Sequence, residues 1–330
     1  PQANVTVELM AITPVAGSGN FDEGLHFGGT TASRCSVVPQ IKTDNSGLLN
    51  IPGVPLEHGV NLRVSGNEQI APQTLTLNSG QPEQRGERDQ TYRALVKNMQ
   101  PGETATLPLA PAQFFAGRVM LGDTDQPARN ARITMGSSQQ SFAGSSFWLE
   151  GRTDDQGHFR ICPYPGINFQ MIAYAPEGAP YHDKRLTDMK WELGPASEQL
   201  EIRLTKGVLV TGIVRDAETQ LPLAGASVQY EPRFQNEFVN DDTVTGWQSI
   251  QETAADGSFS ITTPAGKGTL LFHAPAASNY VLDVRGSNEL SLGKAGRVRT
   301  YAHAFESLDL TEDAQPEPLT IEFQPGNEVA

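Results

Sequence analysis

The stretch Thr253-Ala-Ala-Asp-Gly-Ser-Phe-Ser-Ile261 contains a turn motif that occurs twice more, as Thr153-Asp-Asp-Gln-Gly-His-Phe159 and as Thr43-Asp-Asn-Ser-Gly-Leu48. Glycine is the fifth residue of each copy, and apolar, β-branched runs flank it. Asp and Asn side chains bond the backbone of tight turns, and glycine readily adopts the positive φ that such turns need. Each copy therefore predicts a hairpin between two short β-strands.

Other motifs repeat along with the turn. The segment 222–228 (P-L-A-G-A-S-V) matches 127–133 (P-A-R-N-A-R-I), and Gly212-Ile-Val214 matches Gly117-Arg-Val119 at the same spacing. Runs of period 2, such as 207–214 and 258–262, favour strands. The segment Asp89 to Met99 is the best helix candidate and fits a strand equally well. A recurring β-rich unit of about 100 residues predicts an all-β chain of tandem antiparallel β-sandwiches.

The repeat predicts domains at residues 1–110, 111–206 and 207–323, with 324–330 as a linker or the start of a following repeat. The segment 1–7 aligns with 222–228, so we expect the first unit to lack the strand that 208–214 forms in the third. The segment 319–326 aligns with the end of the second unit and is expected to lead into another unit. Alternation along the strands predicts these buried residues: Val119, Ile133, Phe159, Ile161, Val214, Val228, Phe259 and Ile261.

Composition excludes several classes of protein. The 330 residues include 32 Gly and 23 Pro, which suits many turns, and the net charge of −14 argues against a nucleic-acid binder. No apolar run reaches the length of a membrane span. Two cysteines are too few for a disulfide scaffold or a Cys-rich zinc site. Most of the negative charge lies in residues 207–330 and suits a soluble surface.

The order G-x-V, P-x-x-[GN]-A-x-V, T-x-x-D-G-x-F-x-I and a P-G turn resembles the carboxypeptidase regulatory-like domain. That family implies a transthyretin-like (prealbumin-type) Greek-key sandwich of about seven strands, and an elongated array when copies are tandem. The first unit departs from the pattern because it lacks the first strand and carries Leu48 where Phe is usual. The third unit fits best, through Gly212, Val214, Pro222, Ala226, Val228, Thr253, Asp256, Gly257, Phe259, Ile261, Pro264 and Gly266.

The sequence contains no catalytic constellation. The six histidines show no metal-binding spacing, and no nucleophile elbow, P-loop or dinucleotide fingerprint occurs. The pair Tyr301 and His303 is the strongest candidate for a metal site, and no second half of such a site is visible. We therefore predict no enzymatic activity, no metal and no cofactor.

Two further residue classes leave alternatives open. Paired carboxylates at 122–125, 153–155 and 240–242 could hold structural calcium, although Asp and Asn are the ordinary residues of tight turns. Cys35 and Cys162 fall in different units, and we expect them to be buried free thiols.

The aromatic residues Phe147, Trp148 and Trp247 precede the turn motifs of the second and third units. Exposed, they would form a ligand-binding surface, because aromatic rings stack on sugars; buried, they would belong to the core. The first unit carries Val37 and Val38 in this place, which favours the core interpretation.

The resemblance implies a non-catalytic structural, scaffolding or spacer module of a larger extracytoplasmic bacterial protein, at the cell surface, periplasmic or secreted. Its partners would be flanking domains of the same polypeptide, with no nucleic acid and no membrane span. The alternative function is a carbohydrate- or protein-binding module that uses Trp148 and Trp247. A second alternative is a set of accessory domains of a larger peptidase.

Overall fold

The computed structural model describes residues 3–14, 25–27, 34–35, 40–79, 95–100, 102–104, 106–142, 145–191, 199–240, 243–244, 249–276, 278–290, 292–293 and 298–326; of 25–27, 34–35, 95–98, 138–142 and 145–147 it describes the backbone alone. These residues form β-strands and no α-helix, so the all-β prediction is confirmed. No segment in the described part of the chain forms an apolar helix long enough to cross a bilayer.

The second unit is a sandwich of a three-stranded and a four-stranded sheet. Both sheets contribute to one core that contains Phe115, Ile133, Phe159, Phe169 and Ile202. The strand orders are β11-β8-β14 and β10-β9-β12-β13. The strands are β8 (Phe115–Leu121), β9 (Arg132–Phe142), β10 (Ser145–Arg152), β11 (His158–Ile161), β12 (Asn168–Ala173), β13 (Lys184–Lys190) and β14 (Gln199–Leu204).

The third unit has the same strand order, β18-β15-β23 against β17-β16-β19-β22, with one insertion, the two-stranded sheet β20-β21. Its separate core contains Val214, Val228, Tyr230, Phe259 and Phe323. The strands are β15 (Val208–Asp216), β16 (Ser227–Pro232), β17 (Gln251–Glu252), β18 (Ser258–Thr263), β19 (Gly266–His273), β20 (Asp283–Gly286), β21 (Arg299–Ala302), β22 (Ala304–Leu310) and β23 (Leu319–Phe323).

One ladder in each sandwich differs from the predicted antiparallel pairing. β14 pairs with β8 in parallel, and β23 pairs with β15 in parallel, while the other ladders of the two sandwiches are antiparallel. In a seven-stranded sandwich whose chain reverses direction between consecutive strands, six reversals separate the first strand from the seventh. An even number of reversals means that these two strands run in the same direction. When the fold places them side by side, they can only pair in parallel.

The described residues of the first unit form a single sheet of order β3-β2-β1-β5-β6-β7, in which β4 also pairs with β1. The order β4-β1-β5-β6 within it repeats the four-stranded sheets of the other units. No described strand of this unit corresponds to β8 or β15. The strands are β1 (Thr6–Pro14), β2 (Leu25–Phe27), β3 (Arg34–Cys35), β4 (Gln40–Lys42), β5 (His58–Val64), β6 (Gln73–Ser79) and β7 (Leu95–Met99). The helix candidate at 89–99 is thus a strand over Leu95–Met99, and 89–94 lie outside the described residues.

The predicted turns form in all three units, but the predicted hairpins do not: β10 and β17 lie in the four-stranded sheets, whereas β11 and β18, which follow the turns, lie in the three-stranded sheets. Gly47, Gly157 and Gly257 have φ values of +77°, +79° and +76°. The N–H of each donates to the carbonyl three residues earlier, over 3.0, 3.0 and 2.9 Å. One residue assignment was wrong: Leu49 takes the place of Phe159 and packs on the core of the first unit, whereas Leu48 is 50% exposed. The alignment was off by one residue. Because side chains along a strand alternate between its two faces, a shift of one residue exchanges a buried position for an exposed one.

The threonine that opens each turn ties it to the neighbouring strand. Thr253 Oγ1 accepts a hydrogen bond from Ala226 N (2.9 Å) and donates one to Leu223 O (2.6 Å). Thr153 repeats both contacts in the second unit, with Ala131 N and Ala128 O. The turn motif and the P-x-x-[GN]-A motif therefore recur together because one side chain joins them.

All eight residues predicted to point inward are buried, none of them exposed by more than 5%. Phe259 packs against Phe272 with a ring-centroid distance of 5.3 Å. We expect Phe259→Ala to destabilise the third unit by about 3–5 kcal/mol, because it leaves a cavity between two sheets. Hydrogen exchange of the β15 and β18 amides measures this free energy, and a loss below about 1 kcal/mol would contradict the packing.

Candidate functional site at the junctions between units

Of the three aromatic side chains singled out from the sequence, the structure describes that of Trp148. Trp148 lies on β10 at the edge of its sheet and is 40% exposed, so the core interpretation is wrong for this residue. Leu149 beside it packs on the core, and alternation therefore turns Trp148 outward. The Phe147 side chain and Trp247 lie outside the described residues.

Of the pair Tyr301 and His303, the histidine takes part in the hydrogen bonding of the fold, whereas the tyrosine side chain is exposed. His303 Nδ1 accepts a hydrogen bond from Ala274 N (2.9 Å), and in the second unit Asp183 Oδ1 accepts the equivalent bond from Ala175 N (2.8 Å). Partial burial and the neighbouring His273 lower the pKa of His303. In the described part of the chain, no three or more His, Cys, Asp or Glu residues form a group that could hold a metal ion.

In two of the acidic turns, carboxylates bind backbone N–H groups or side chains of this chain. Asp154 Oδ1 accepts hydrogen bonds from Gln156 N (2.9 Å) and His158 N (2.8 Å), and the His158 bond is the main cause of its lowered pKa. Arg203 pairs with Asp125. Asp241 and Asp242 lie outside the described residues, and calcium binding stays an untested alternative.

Cys162 is a free, partly buried thiol directly after β11. Burial raises the pKa of this thiol, which keeps it protonated and a poor nucleophile at neutral pH. The Cys35 side chain lies outside the described residues.

The repeated polar contacts of the described residues concentrate instead where one unit meets the next. After its last strand, the second unit continues through residues 205–207 into β15. Gly207 N donates to Pro180 O (2.8 Å), and His182 N donates to Thr205 O (2.8 Å). We call this pair of backbone hydrogen bonds, which fixes the chain leaving a unit against that unit's own β12–β13 segment, the linker clamp.

The linker clamp recurs in the other units. In the first, Ala112 N donates to Gln69 O (3.0 Å) and Ala71 N to Ala110 O (3.0 Å). In the third, the bonds run from Gly326 N to Asn279 O (2.8 Å) and from Val281 N to Gln324 O (2.9 Å).

In the second and third clamps, a tyrosine forms a hydrogen bond with a carboxylate of its own unit. Tyr181 Oη donates to Asp123 Oδ1 (2.6 Å), and Tyr280 Oη donates to Asp216 Oδ2 (3.0 Å). Burial, with the adjacent carboxylate, raises the pKa of each tyrosine, so the hydroxyl stays a donor.

Side chains add to the junction between the first and second units. Arg160 on β11 donates to both carboxylate oxygens of Glu68 (2.9 and 2.7 Å), and its guanidinium lies 3.4 Å from the centroid of the Phe114 ring. The pair is exposed, so it contributes little to stability. A cavity of about 520 Å³ beside it is lined by Glu68, Phe114 and Tyr164, among others.

The junction between the second and third units is tighter. His182 is 5% exposed, and a Cβ built on Gly207 would lie 2.4 Å from His182 Nε2 and 2.6 Å from Thr262 Cγ2. Thr262 Oγ1 donates across the junction to Ala179 O (3.3 Å). A cavity of about 310 Å³ is lined by residues of both units, His182 and Thr262 included.

These junction residues carry no chemical motif, and for that reason the sequence motifs did not reveal them. One signal was present: Tyr181 and Tyr280 stand at the spacing of the repeat, and a glycine follows each last strand at 207 and 326. These repeated aromatic residues outside the turn motif mark two of the three clamps.

Neither a protein-family model nor a curated protein matches the chain. Among solved structures, it is similar to the shaft pilin SpaA from Lactobacillus rhamnosus GG, at 12% identity over 66% of this chain and 100% of that one, with a TM-score of 0.27. It is also similar to a streptococcal ancillary pilin, at 12% identity over 99% of this chain and 94% of that one, with a TM-score of 0.24.

Burial at the second junction predicts a pH dependence of stability. Desolvation lowers the pKa of His182 from 6.5 to about 4. The unfolded chain therefore binds a proton below pH 6.5 that the folded chain binds only near pH 4, so stability falls as the pH falls through this window. Once the pH has fallen through the whole window, we expect His182 to have lowered the free energy of unfolding by a value on the order of 3 kcal/mol.

The measurement compares free energies of unfolding at pH 7 and pH 4.5 in the wild type and in His182→Gln. The variant should lose less stability on acidification than the wild type. His158→Gln, which removes an exposed histidine of the same unit, is the matched control. If the free energy of unfolding falls by the same amount between pH 7 and pH 4.5 in the wild type and in His182→Gln, His182 does not titrate as its burial requires.

Proposed function

We propose that this chain is a non-catalytic spacer of a larger extracytoplasmic bacterial protein, whose partners are flanking domains of the same polypeptide. It is built from tandem transthyretin-like units of the carboxypeptidase regulatory-like type, divided at 110/111 and 206/207. The three-plus-four strand order shared by the second and third units supports this family proposal.

The observation that carries the spacer function is the linker clamp. In a flexible linker, the backbone of residues 205–207 would form hydrogen bonds with water. Here the backbone groups of Thr205 and Gly207, on either side of Lys206, form hydrogen bonds with the second unit. Contacts across the junction, from Thr262 to Ala179, then hold the third unit against the second. We expect units joined in this way to keep one relative orientation, which is what a spacer needs.

Gly207 provides the test of a fixed orientation. Spin labels at Thr187→Cys and Glu312→Cys, with Cys35 and Cys162 replaced by serine, report the distance between the second and third units. We expect one narrow distance distribution in this background. Gly207→Ala should broaden it, because the added Cβ also comes within 2.8 Å of the carbonyl oxygen of Thr263.

Gly151→Ala is the matched control, since a Cβ there meets only Ile161 Cδ1 at 3.9 Å, an ordinary contact. It should leave the distribution narrow. A broad distribution in the background chain itself would contradict a fixed spacer.

Ligand binding is the second candidate function, and the exposed ring of Trp148 favours it. An outward aromatic side chain on an edge strand offers a flat apolar face on which a sugar ring can stack. We expect Trp148→Ala to weaken any binding of soluble oligosaccharides at least about tenfold, which corresponds to 1.4 kcal/mol.

Calorimetry with cellohexaose and chitohexaose measures this affinity. Phe234→Ala, which removes another exposed aromatic side chain, is the control and should leave binding unchanged. If the wild type binds neither sugar, or if Trp148→Ala binds as tightly, the ring is not a sugar platform.

A further inference from the structure

The three linker clamps differ in the exposure of the residue that donates the second hydrogen bond. That residue is Ala71 in the first unit and His182 in the second, and these are 0% and 5% exposed. Its counterpart in the third unit, Val281, is 50% exposed although its backbone bond is the same. The third clamp is therefore formed but uncovered.

The second junction shows what covers such a clamp. The His182 ring lies against Gly207 and Thr262, which are the residue before the first strand of the next unit and a residue near the end of its fourth strand. In the third clamp, Gly326 stands where Gly207 stands in the second. A Cβ at Gly326 would lie 2.9 Å from Asn279 Oδ1, so this linker too follows the surface of its own unit closely.

The segment that follows Val281 carries several exposed apolar side chains. Of the eleven exposed large hydrophobic residues in the described part of the chain, five lie between 281 and 301: Val281, Leu282, Val284, Val298 and Tyr301. Val284 and Tyr301 are paired across β20 and β21 and so share a face, while Ala302, on the opposite face, is fully buried. Scattered exposed apolar residues are ordinary, but a contiguous group marks an interaction surface.

We propose that the third clamp, with Val281 and the exposed face of β20–β21, is the docking surface for another β-sandwich unit of the same type, joined to Gly326. The start of that unit's first strand and the end of its fourth strand cover Val281, as Gly207 and Thr262 cover His182. The inference rests on the proposed spacer function and names the partner of its terminal surface.

The test appends residues 208–326 of this chain directly after Gly326, in place of 327–330. A single reporter, Val281→Cys of the original third unit, is introduced in a background in which Cys35 and Cys162 are serine. We expect the reporter to react with a thiol reagent rapidly in the original chain and at least about tenfold more slowly in the extended chain, because docking buries it. His182→Cys in the original chain is the reference for a covered clamp.

Two results would overturn the docking surface. One is an equal reaction rate of the reporter in both chains while hydrogen exchange shows the appended unit to be folded. The other is an appended unit that fails to fold although the identical sequence folds at 207–326 of the same molecule. Neither result touches the distance measurement across Gly207, so the docking surface and the spacer function can fail separately.

Discussion

The middle strand of each three-stranded sheet must pair along both of its edges, and this double pairing organises each complete sandwich. β15 pairs with β18 on one side and with β23 on the other. Its Gly212 allows the Phe259 ring and the Leu319 carbonyl to approach, since a Cβ there would lie 2.7 and 2.4 Å from them. Gly117 has the same role against Phe159 and Leu200 in the second unit. The middle strand thus positions two other features. Its neighbour β18 (β11 in the second unit) follows the turn motif, and its neighbour β23 (β14 in the second unit) leads into the linker.

The first unit shows what remains when no described strand takes that middle position. Its four-stranded sheet is intact, because those strands pair with one another. The segments that would flank a middle strand contribute Leu49, Ile51, Leu107 and Leu109 to the core, yet in the described residues they form no strand. Apolar burial alone places these side chains, whereas a regular strand needs a neighbour that accepts and donates its backbone hydrogen bonds.

The sequence predicted the features that local chemistry determines. The turns follow from Gly at the fifth position of each copy, and the buried residues follow from alternation, as Phe259 and Ile261 show. It missed features that depend on long-range closure. The parallel ladder of β15 and β23 joins residues about 100 positions apart, and the β20–β21 insertion interrupts the repeat without a motif of its own. The junction at His182 was missed because its contacts are mostly to backbone atoms, which every residue type supplies.

The parallel pairing of first and last strands determines how each sandwich bears tension along the chain. Force enters the third unit at the beginning of β15 and leaves it at the end of β23, which lie at opposite ends of adjacent parallel strands. Pulling on both ends slides one strand along the other, so the ladder bonds are sheared together and no single bond opens first. The second unit, with β8 and β14, is loaded in the same way. In each of these two sandwiches, stretching the chain therefore loads one ladder of backbone hydrogen bonds in shear.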